Sequence, residues 1–379
     1  MKEFVSLALI RKFPMTFYSL QVKDVIRETD DAVTILLSIP EEHTTAFMFT
    51  PGQYVTVSSE ISGKEIRRPY SINTMPGLPY FGITVKKVHK GNMSHLLNGI
   101  QSGTVLNVSS PEGHFIVKPS HNLSRSFYFF AAGSGITPVM SMIRTILEEE
   151  PKSVCYLLYG NRHENSIIFR KELVDLEKKY SGQLFIEHIL SNPLKSKASG
   201  LGGLLGKKET LWKGETGRIG EKSVEKFLHK FPVRFTEREY YTCGPGDMIA
   251  KTEKYLLSKG IDLKHIHKEF FTTPGKENAS AIVHNATGNS HVEVTLKGAT
   301  HNFDMAKNKI ILDELVEKKL DPPYSCTSGA CSTCIARVTS GEVKMDACYA
   351  LEDDEVEAGF ILTCQSRPVS DHVVLTYDV

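Results

Sequence analysis

Four of the seven cysteines in this chain of 379 residues follow a spacing that suits a metal centre. Cys326, Cys331 and Cys334 form the pattern C-x4-C-x2-C, and Cys364 follows after 29 further residues. Cysteine thiolates are the soft donors that iron–sulfur clusters require, and this spacing is known for [2Fe–2S] clusters. Zinc is the alternative, but zinc sites usually pair cysteines as C-x2-C on both sides, whereas Cys364 stands alone. The pattern therefore predicts a [2Fe–2S] cluster.

The residues around these cysteines also suit a cluster. Small residues between the ligands let backbone N–H groups turn toward the cluster sulfurs, which helps to stabilise the reduced state. Cys155, Cys243 and Cys348 fall outside the spacing. Cys348 lies between the ligands in sequence, and we interpret it as an ordinary small buried residue.

A second candidate site is the tetrad Arg68-Pro69-Tyr70-Ser71. A guanidinium can hold a pyrophosphate through two parallel hydrogen bonds, and an aromatic ring or a serine hydroxyl can contact a flavin ring. Taken alone, the tetrad would also fit a barrel strand with an exposed arginine and tyrosine. Downstream, Gly91-Asn92-Met93-Ser94 predicts the start of a helix with Ser94 as N-cap, where backbone N–H groups could meet phosphate oxygens.

A third candidate site is the loop Gly133-Ser134-Gly135-Ile136-Thr137-Pro138, which follows an apolar run and precedes a helical pattern. Glycines let the backbone approach a pyrophosphate closely, and the N-terminus of a helix favours an anion. The loop is not the G-x-G-x-x-G fingerprint of classical dinucleotide-binding domains. A generic strand–turn–helix connection is the alternative.

Three regions that differ in their pattern of apolar and polar residues must position these candidate site residues. Residues 18–120 alternate apolar and polar side chains in short runs, which predicts an antiparallel β-barrel or sandwich, with the barrel favoured by the resemblance described below. Residues 121–271 contain continuous apolar strands alternating with helices, which predicts a doubly wound parallel α/β sheet. Residues 272–283 form a polar linker, and residues 284–379 form a small α+β domain that carries the cysteine loop. Residues 192–216 are rich in Gly, Lys and Ser and form either an excursion near a binding face or a passive insertion.

The bulk composition excludes several classes of protein. The 45 basic and 44 acidic residues give a net charge of +1, so nothing favours nucleic-acid binding. No apolar run is long enough to span a bilayer. Residues 1–17 are predicted to be an extension, or residues 1–14 lie upstream of a true start at Met15. Glu3 and the pair Arg11-Lys12 argue against a signal peptide, so a cytoplasmic location is expected.

These motifs resemble those of the ferredoxin–NADP reductase superfamily, in which R-x-Y-S and G-[ST]-G-x-[TA]-P mark the flavin and nicotinamide sites. The region 284–379, with Gly359-Phe-Ile-Leu-Thr-Cys364-Gln, is similar to plant-type ferredoxin domains and implies a β-grasp-like fold. The order of the two parts, together with Tyr159-Gly-Asn-Arg162 and Ile167-Ile-Phe-Arg170, is similar to the reductase components of phenylacetyl-CoA epoxidases and related oxygenases.

The resemblance implies a role for individual residues. Ser71, Cys243 and Glu269 would lie at the reacting centre, with Cys243 beside nicotinamide C4 and Phe271 as the terminal aromatic. FAD is favoured over FMN as the flavin. The implied flavin contacts are Arg68, Pro69, Tyr70, Ser71, Thr84, Val85, Lys86, Gly91, Met93 and Ser94. The implied nicotinamide contacts are Gly133, Ser134, Gly135, Thr137, Pro138, Cys243, Gly244, Pro245 and Phe271.

The choice between NADPH and NADH depends on which residues meet the 2′-phosphate. Arg162 ends a predicted strand and could reach the adenosine end of the nucleotide. The other candidates are Ser191, Lys195, Lys197 and Arg218. An NADH enzyme would more often place a carboxylate at that strand end, and none is evident there. NADPH is therefore expected, with NADH as the alternative.

The cofactors together imply an electron relay from NAD(P)H through the flavin, which splits an electron pair, to a one-electron cluster. The expected partner is an oxygenase or another redox acceptor protein, with the phenylacetyl-CoA epoxidase favoured over a ring-hydroxylating oxygenase or a desaturase. One alternative is a reductase of small molecules with a peripheral cluster, and another is a redox sensor or scaffold. Acidic residues 352–355 form either a docking face or a solvated loop.

Overall fold

The structure is a computed structural model that describes residues 15–197, 208–271 and 288–379. It divides into two compact units, one of residues 18–271 and the other of residues 288–379. Residues 1–14 of the predicted extension and the whole predicted linker 272–283 lie outside the described residues. The domain boundaries given above therefore stay predictions.

The first part of the larger unit is an antiparallel barrel, as predicted. Its sheet has the strand order β4-β3-β6-β1-β2-β5, and a bridge between Ile72 and Ile83 brings its two edges together. The strands form because buried apolar and exposed polar side chains alternate along them. In β1, for example, Leu20 and Val22 are buried while Gln21 between them is exposed. The elements are β1 Phe17–Thr29, β2 Ala32–Ser38, β3 Tyr54–Ile61, β4 Lys64–Ser71, β5 Tyr80–Lys86, α1 Asn92–Leu97 and β6 Val105–Ser109.

The second part of the larger unit is a doubly wound sheet of parallel strands, also as predicted. Phe127 and Phe129 pack in one apolar core and Tyr128 and Phe130 in another, because helices cover both faces of the sheet. Its elements are β7 Arg125–Ala132, α2 Ile136–Glu149, β8 Val154–Asn161, α3 Arg170–Lys179, β9 Leu184–Leu190, β10 Lys195–Lys197, β11 Lys208–Thr210, β12 Glu215–Thr216, α4 Glu221–Lys230, β13 Glu237–Gly244, α5 Gly246–Ser258 and β14 Ile266–Phe270.

The strand order of this sheet locates a crevice. The order is β12-β9-β8-β7-β13-β14, so the chain runs from β7 outward to one side and later returns to β7 on the other. Ligands of such sheets bind outside the carboxyl ends of the strands at this switch point. The carboxyl ends of β7 and β13 therefore form the expected binding edge. Strands β10 and β11 form a separate antiparallel pair within the predicted excursion, whose residues 198–207 lie outside the described residues.

The smaller unit is a mixed sheet with short helices. The sheet order is β16-β15-β21-β17-β19, in which β15 and β21 run parallel and the other neighbours run antiparallel. Ile311 and Leu315 of α6 pack on Val292 and Val294 of the sheet. The elements are β15 Asn289–Leu296, β16 Ala299–Ala306, α6 Ile311–Glu317, β17 Ile335–Ser340, β18 Val343–Met345, α7 Asp353–Glu357, β19 Phe360–Leu362, β20 Ser366–Pro368 and β21 His372–Thr376.

Two local predictions were wrong. Helix α1 begins at Asn92 with Gly91 as its N-cap, and the Ser94 hydroxyl donates back to the Gly91 carbonyl from inside the first turn. The acidic residues 352–355 begin the short helix α7, so the loop alternative was wrong, whereas the docking-face alternative stays a prediction. The Glu355 carboxylate caps this helix by accepting the backbone N–H of Glu352 at 2.9 Å. Across the described residues, every helix is too short or too polar to cross a bilayer.

Candidate functional site

Three strand ends bring the predicted reacting residues to one point. Cys243 of β13 and Glu269 of β14 are register partners on neighbouring parallel strands. Ser71 ends β4 of the barrel, and its Oγ lies 3.5 Å from Glu269 Oε2. Cys243 Sγ lies 3.9 Å from the same carboxylate oxygen. The structure therefore brings together three residues that lie far apart in the sequence.

Burial controls the charge of this trio. Desolvation raises the pKa of Glu269 to about 8, although hydrogen bonds from Ser71 and Cys243 act in the opposite direction. Burial, followed by the nearby Glu269, also raises the pKa of the Cys243 thiol well above its ordinary value. Cys243 is therefore a neutral thiol, and Glu269 is a carboxylic acid that can hold or release a proton near neutral pH.

The glycine loop follows β7 and packs tightly on β13. A Cβ added to Gly135 would lie 2.1 Å from the Cys243 carbonyl oxygen, so only glycine fits there. Tyr159 Oη donates to the Gly133 carbonyl at 3.0 Å, and Thr137 Oγ1 donates to the Ser134 carbonyl at 3.0 Å. These contacts fix the loop at the N-terminus of the 14-residue helix α2. The first-turn N–H groups of a helix lack intrahelical acceptors, which suits a pyrophosphate.

The second nicotinamide segment lies against the first. Gly244 has a φ of +157°, and a Cβ there would lie 2.9 Å from Met248 Cε and 3.2 Å from Ala132 Cβ. Pro245 is the N-cap of α5. Gly133–Gly135 and Gly244–Pro245 thus meet at the switch point of the sheet, as the topology requires. Pro138 is buried in the first turn of α2, and Phe271 is exposed just beyond β14.

The tetrad occupies the end of β4 that faces the trio. Arg68 is exposed, and its Nη1 donates to the Arg67 carbonyl at 2.7 Å. Arg67, which sequence reasoning did not single out, is buried and contacts both oxygens of Glu65. Tyr70 and Pro69 are half-buried, and burial raises the pKa of Tyr70, so its phenol stays protonated. Arg68 is therefore the guanidinium of this pair that faces solvent.

Among the other predicted flavin contacts, Thr84, Val85, Met93 and Ser94 have buried side chains, and Lys86 does not. The Thr84 hydroxyl lies 2.7 Å from the Thr34 hydroxyl and accepts a hydrogen bond from Asn73 Nδ2 at 2.7 Å. Val85 and Met93 belong to the barrel core. The Ser94 hydroxyl bonds to the backbone of residues 88 and 91, and Lys86 Nζ lies 3.7 Å from Asp31. Any flavin contact from residues 84–85 and 93–94 would therefore come from their backbone.

A polar corner forms where β8 and β9 end. Arg162 and Lys195 are exposed, and so is Ser191 between them in the sequence. The backbone N–H of Ser191 donates to the Asn161 carbonyl at 2.9 Å, and that of Asn192 to the Arg162 carbonyl at 2.7 Å. The carboxylate of Glu164 accepts the backbone N–H of Leu194 at 2.9 Å. The structure thus brings together three of the five predicted candidates for the 2′-phosphate.

Arg218 is also exposed. It directly follows Gly217, whose backbone N–H donates to the Leu190 carbonyl at 2.9 Å. It therefore lies beyond the end of β9, on the same edge of the sheet. The side chain of Lys197 lies outside the description.

The four predicted cluster ligands neighbour one another in the smaller unit. Cys331, Cys334 and Cys364 are buried and Cys326 is half-buried, and none forms a disulfide. The Cys326 thiol hydrogen-bonds with those of Cys331 and Cys364, and the Cys334 thiol with that of Cys364. The backbone N–H of Ser328 donates to Cys326 Sγ at 3.4 Å. Such amide–sulfur contacts are the kind that stabilise a reduced cluster.

The electrostatics of these thiols fit a cationic centre. Hydrogen bonds from Cys331 and Cys364 lower the pKa of Cys326. The contacts that Cys364 makes with Cys326 and Cys334 raise the pKa of Cys364. Packed thiols therefore oppose each other's ionisation. Four thiolates become compatible only when positive charge lies between them, which the iron ions of a [2Fe–2S] cluster would supply.

Comparisons with known proteins agree with this architecture. Three family models match: an oxidoreductase FAD-binding domain at residues 19–116, an oxidoreductase NAD-binding domain at 129–254 and a 2Fe-2S iron-sulfur cluster binding domain at 294–369. One subunit of the 1,2-phenylacetyl-CoA epoxidase of Escherichia coli K12 is 36% identical over 96% of this chain and 98% of its own length. The ferredoxin reductase component of 3-ketosteroid-9-alpha-monooxygenase from Mycolicibacterium smegmatis is 34% identical over 95% and 96%.

A solved structure shares the fold over the same length. Phthalate dioxygenase reductase, described as a modular structure for electron transfer from pyridine nucleotides to [2Fe–2S], covers 95% of this chain and 98% of its own. The TM-score is 0.57 at 22% sequence identity. The predictions of FAD, a pyridine nucleotide and a [2Fe–2S] cluster are thereby confirmed, as is an electron-transferring oxidoreductase. The chain belongs to the ferredoxin–NADP reductase superfamily, within the family of reductases that carry a C-terminal [2Fe–2S] ferredoxin domain.

Proposed function

We propose that this protein is the NADPH-dependent reductase of an oxygenase system of the phenylacetyl-CoA epoxidase kind. The similarity to the epoxidase protein of Escherichia coli carries the proposal, because it extends over 98% of that relative and so includes all three domains. The proposed partner is accordingly the oxygenase component of such a system.

The residues around Glu269 have a shared task in this proposal. When bound, FAD accepts an electron pair from the nicotinamide and releases electrons singly to the cluster. Ser71 and the protonated Glu269 would offer hydrogen bonds to the flavin ring. Cys243 would contribute a small neutral thiol on the nicotinamide side, and it would not act as a nucleophile because its thiolate is disfavoured.

The glycine loops and the cysteine loop hold the cofactors in place. Gly133–Gly135 would bind the pyrophosphate of the nucleotide at the N-terminus of α2, and Gly244 lets β13 approach it closely. Cys326, Cys331, Cys334 and Cys364 would hold the iron. The N–H of Ser328 would stabilise the added negative charge of the reduced cluster.

The preference for NADPH comes from the corner at the ends of β8 and β9. Arg162, Ser191 and Lys195 offer positive charge and hydrogen-bond donors there, which suits a 2′-phosphate. Glu164 is a nearby carboxylate that could hold a ribose 2′-hydroxyl, as NADH enzymes do. The expectation that no carboxylate lies at this strand end is therefore corrected: one oxygen of Glu164 accepts the Leu194 backbone N–H and the other can still accept a hydrogen bond. The preference for NADPH rests on Arg162, Ser191 and Lys195 alone.

The test follows the electrons under anaerobic conditions. Mixing the purified protein with NADPH in a stopped-flow instrument should bleach the flavin absorbance first and the cluster absorbance afterwards. In a second assay, in buffer that contains O2, adding a phenylacetyl-CoA oxygenase component and its substrate should give NADPH consumption that matches product formed. A cluster that stays oxidised, or a flavin that passes electrons only to small molecules, would contradict the proposal.

A second candidate partner is an oxygenase of the 3-ketosteroid-9-alpha-monooxygenase kind. The reductase component of that system is 34% identical over 95% of this chain, close to the 36% identity of the epoxidase protein. The same coupled assay distinguishes the two. The partner oxygenase is the one whose product forms in proportion to NADPH, with faster turnover at equal oxygenase concentration.

A further inference from the structure

A continuous network of polar contacts joins the barrel to the nucleotide-binding sheet. Its members, here called the junction network, are Glu28, Thr34, Asn73 and Thr84 of the barrel and Arg144, Phe169 and Glu172 of the sheet layer. Thr84 is also one of the flavin contacts implied by the sequence, and its hydroxyl is engaged within this network. The contacts of the network link the strand that carries Ser71 to the helix that follows the glycine loop.

Side chains of helix α2 donate hydrogen bonds to the backbone of the residues that follow Ser71. Arg144 Nη1 donates to the Asn73 carbonyl, and the same guanidinium contacts both oxygens of Glu172, at 2.7 Å and 2.6 Å. One turn earlier, the buried Ser141 hydroxyl donates to the Thr74 carbonyl at 2.6 Å. Two successive carbonyls of the barrel are therefore held by one face of α2.

The other half of the network runs through the barrel wall. Asn73 Nδ2 donates to Thr84 Oγ1 at 2.7 Å, and Thr84 Oγ1 lies 2.7 Å from Thr34 Oγ1. Thr34 Oγ1 in turn donates to Glu28 Oε1 at 2.7 Å. The second oxygen of Glu28 accepts the Phe169 backbone N–H at 3.3 Å, which returns the network to the sheet layer.

Phe169 closes the network in a strained conformation. Its backbone lies in the left-handed region, with φ of 59° and ψ of 23°, which a bulky side chain rarely adopts. Its ring is only 3% exposed and lies under the Arg144 guanidinium, 5.4 Å from ring centre to Cζ. Such a conformation persists only where the surroundings hold it, and it marks places where geometry matters.

The position of the network gives it a function. Asn73 lies two residues beyond Ser71, and α2 begins directly after Gly133–Gly135. We propose that Arg144 and Glu28 are positioning residues, which set the spacing between the flavin side and the nicotinamide side of the site and so the geometry of hydride transfer. This inference rests on the proposed NADPH-to-flavin reaction. Misplacing reacting atoms by about 1 Å can cost about 100-fold in rate.

Arg125 provides a matched control. Like Arg144, it contacts both oxygens of a glutamate, here the fully buried Glu150, and it lies over a phenylalanine ring at 4.6 Å. It stands at the amino end of β7, whereas the site lies at the carboxyl end. Arg125→Lys therefore tests the loss of a comparable ion pair at the far edge of the sheet.

The experiment compares wild type, Arg144→Lys, Glu28→Gln and Arg125→Lys, each with its content of bound FAD measured. Amide hydrogen exchange should rise around residues 72–75 and 168–170 in the two junction variants only. Flavin reduction by NADPH in a single turnover, per bound FAD, should fall about 10–100-fold for Arg144→Lys and less for Glu28→Gln. With deuterated NADPH, the isotope effect on steady turnover should rise as this step becomes limiting. The dissociation constant for NADPH should stay within about twofold.

The outcomes separate this inference from the proposed function. Arg125→Lys should lower the melting temperature and leave the reduction rate per bound FAD at the wild-type value. The inference is overturned if Arg144→Lys also lowers the melting temperature without changing the reduction rate per bound FAD. It is likewise overturned if the amide hydrogen exchange of Arg144→Lys and Glu28→Gln equals that of the wild type. In either case the network has only a structural role. A wild-type flavin that NADPH does not reduce would instead overturn the proposed function itself.

Discussion

The two redox regions of this chain are built in opposite ways. The cluster ligands all lie within residues 326–364, on one loop and the turn after β19. The flavin–nicotinamide site collects Ser71 from the barrel, Gly135 and Cys243 from neighbouring strand ends, and Glu269 from an edge strand. Ser71 and Glu269, which are in contact, are 198 positions apart.

This difference predicts how each region should fail. A local site depends on a few donor atoms, so the loss of one should remove the cofactor and leave the rest of the chain intact. A distributed site depends on packed backbone, as where the Gly135 position meets the Cys243 carbonyl. A substitution there should therefore disturb the packing of the whole surrounding domain.

The largest expected effect is that of Cys331→Ser. A serine hydroxyl is a poor substitute for a thiolate toward iron, so the cluster should be lost and cytochrome c reduction should fall to background. Ferricyanide reduction, which needs only the flavin, should persist. Iron and sulfide content, visible absorbance and the two assays measure this. The control is Cys348→Ser, which removes a half-buried thiol of the same domain outside the ligand spacing. If ferricyanide reduction disappears too, the two regions are not separable.

Gly135→Ala should affect both assays. The new methyl group would lie 2.1 Å from the Cys243 carbonyl oxygen, so the backbone must shift. Overpacking of this kind typically costs about 1–3 kcal/mol of unfolding free energy. Cytochrome c and ferricyanide reduction by NADPH should fall together because the defect lies upstream of both. Gly220→Ala is the control, since a Cβ there meets nothing within 4 Å. A variant that loses only cytochrome c reduction would contradict the comparison.

Arg162→Ala should change affinity without changing the fold. A hydrogen bond to a charged group contributes about 1.5–3 kcal/mol, so the Michaelis constant for NADPH should rise about tenfold or more. The constant for NADH should change little, because NADH lacks the 2′-phosphate. Steady-state kinetics with both nucleotides measures this, with Arg238→Ala at the amino end of β13 as control. Equal effects on the two nucleotides would refute the role of Arg162.

Glu269→Gln should change the pH dependence of stability. Burial raises the pKa of Glu269 from 4.5 to about 8, so the folded protein binds this proton more tightly than the unfolded chain. The stabilisation is present below pH 4.5 and is lost as the pH rises toward 8. The wild-type melting temperature should therefore fall relative to that of the variant across this range, by about 2–4 °C for each kcal/mol lost. Parallel curves for the two proteins would exclude this titration.

The elements of the fold were largely predictable because their signals are local. The helical pattern predicted after the glycine loop is α2, which begins within that motif at Ile136. The fold class and the family were confirmed. The prediction of Ser94 as N-cap was wrong, because the extended backbone of Gly91 lets the helix begin already at Asn92.

The junction network had no signal in the sequence. Arg144, Glu28 and Asn73 are common residue types without a characteristic spacing, and two of the contacts made by α2 use backbone carbonyls. A hydrogen bond to a carbonyl does not depend on which residue supplies it, so no pattern of letters reveals the acceptor. The fold had to place α2 beside the segment that follows β4 before these residues became partners.

The sequence by itself determined which thiols can form a cluster and where glycines let a backbone approach a phosphate, because both depend on spacing along a short stretch of chain. Only the tertiary structure decided that Ser71, Cys243 and Glu269 meet, and that Glu269 retains a proton near neutral pH. Convergence and burial depend on packing between strands that are distant in sequence, and burial is what shifts the charge of a carboxylate.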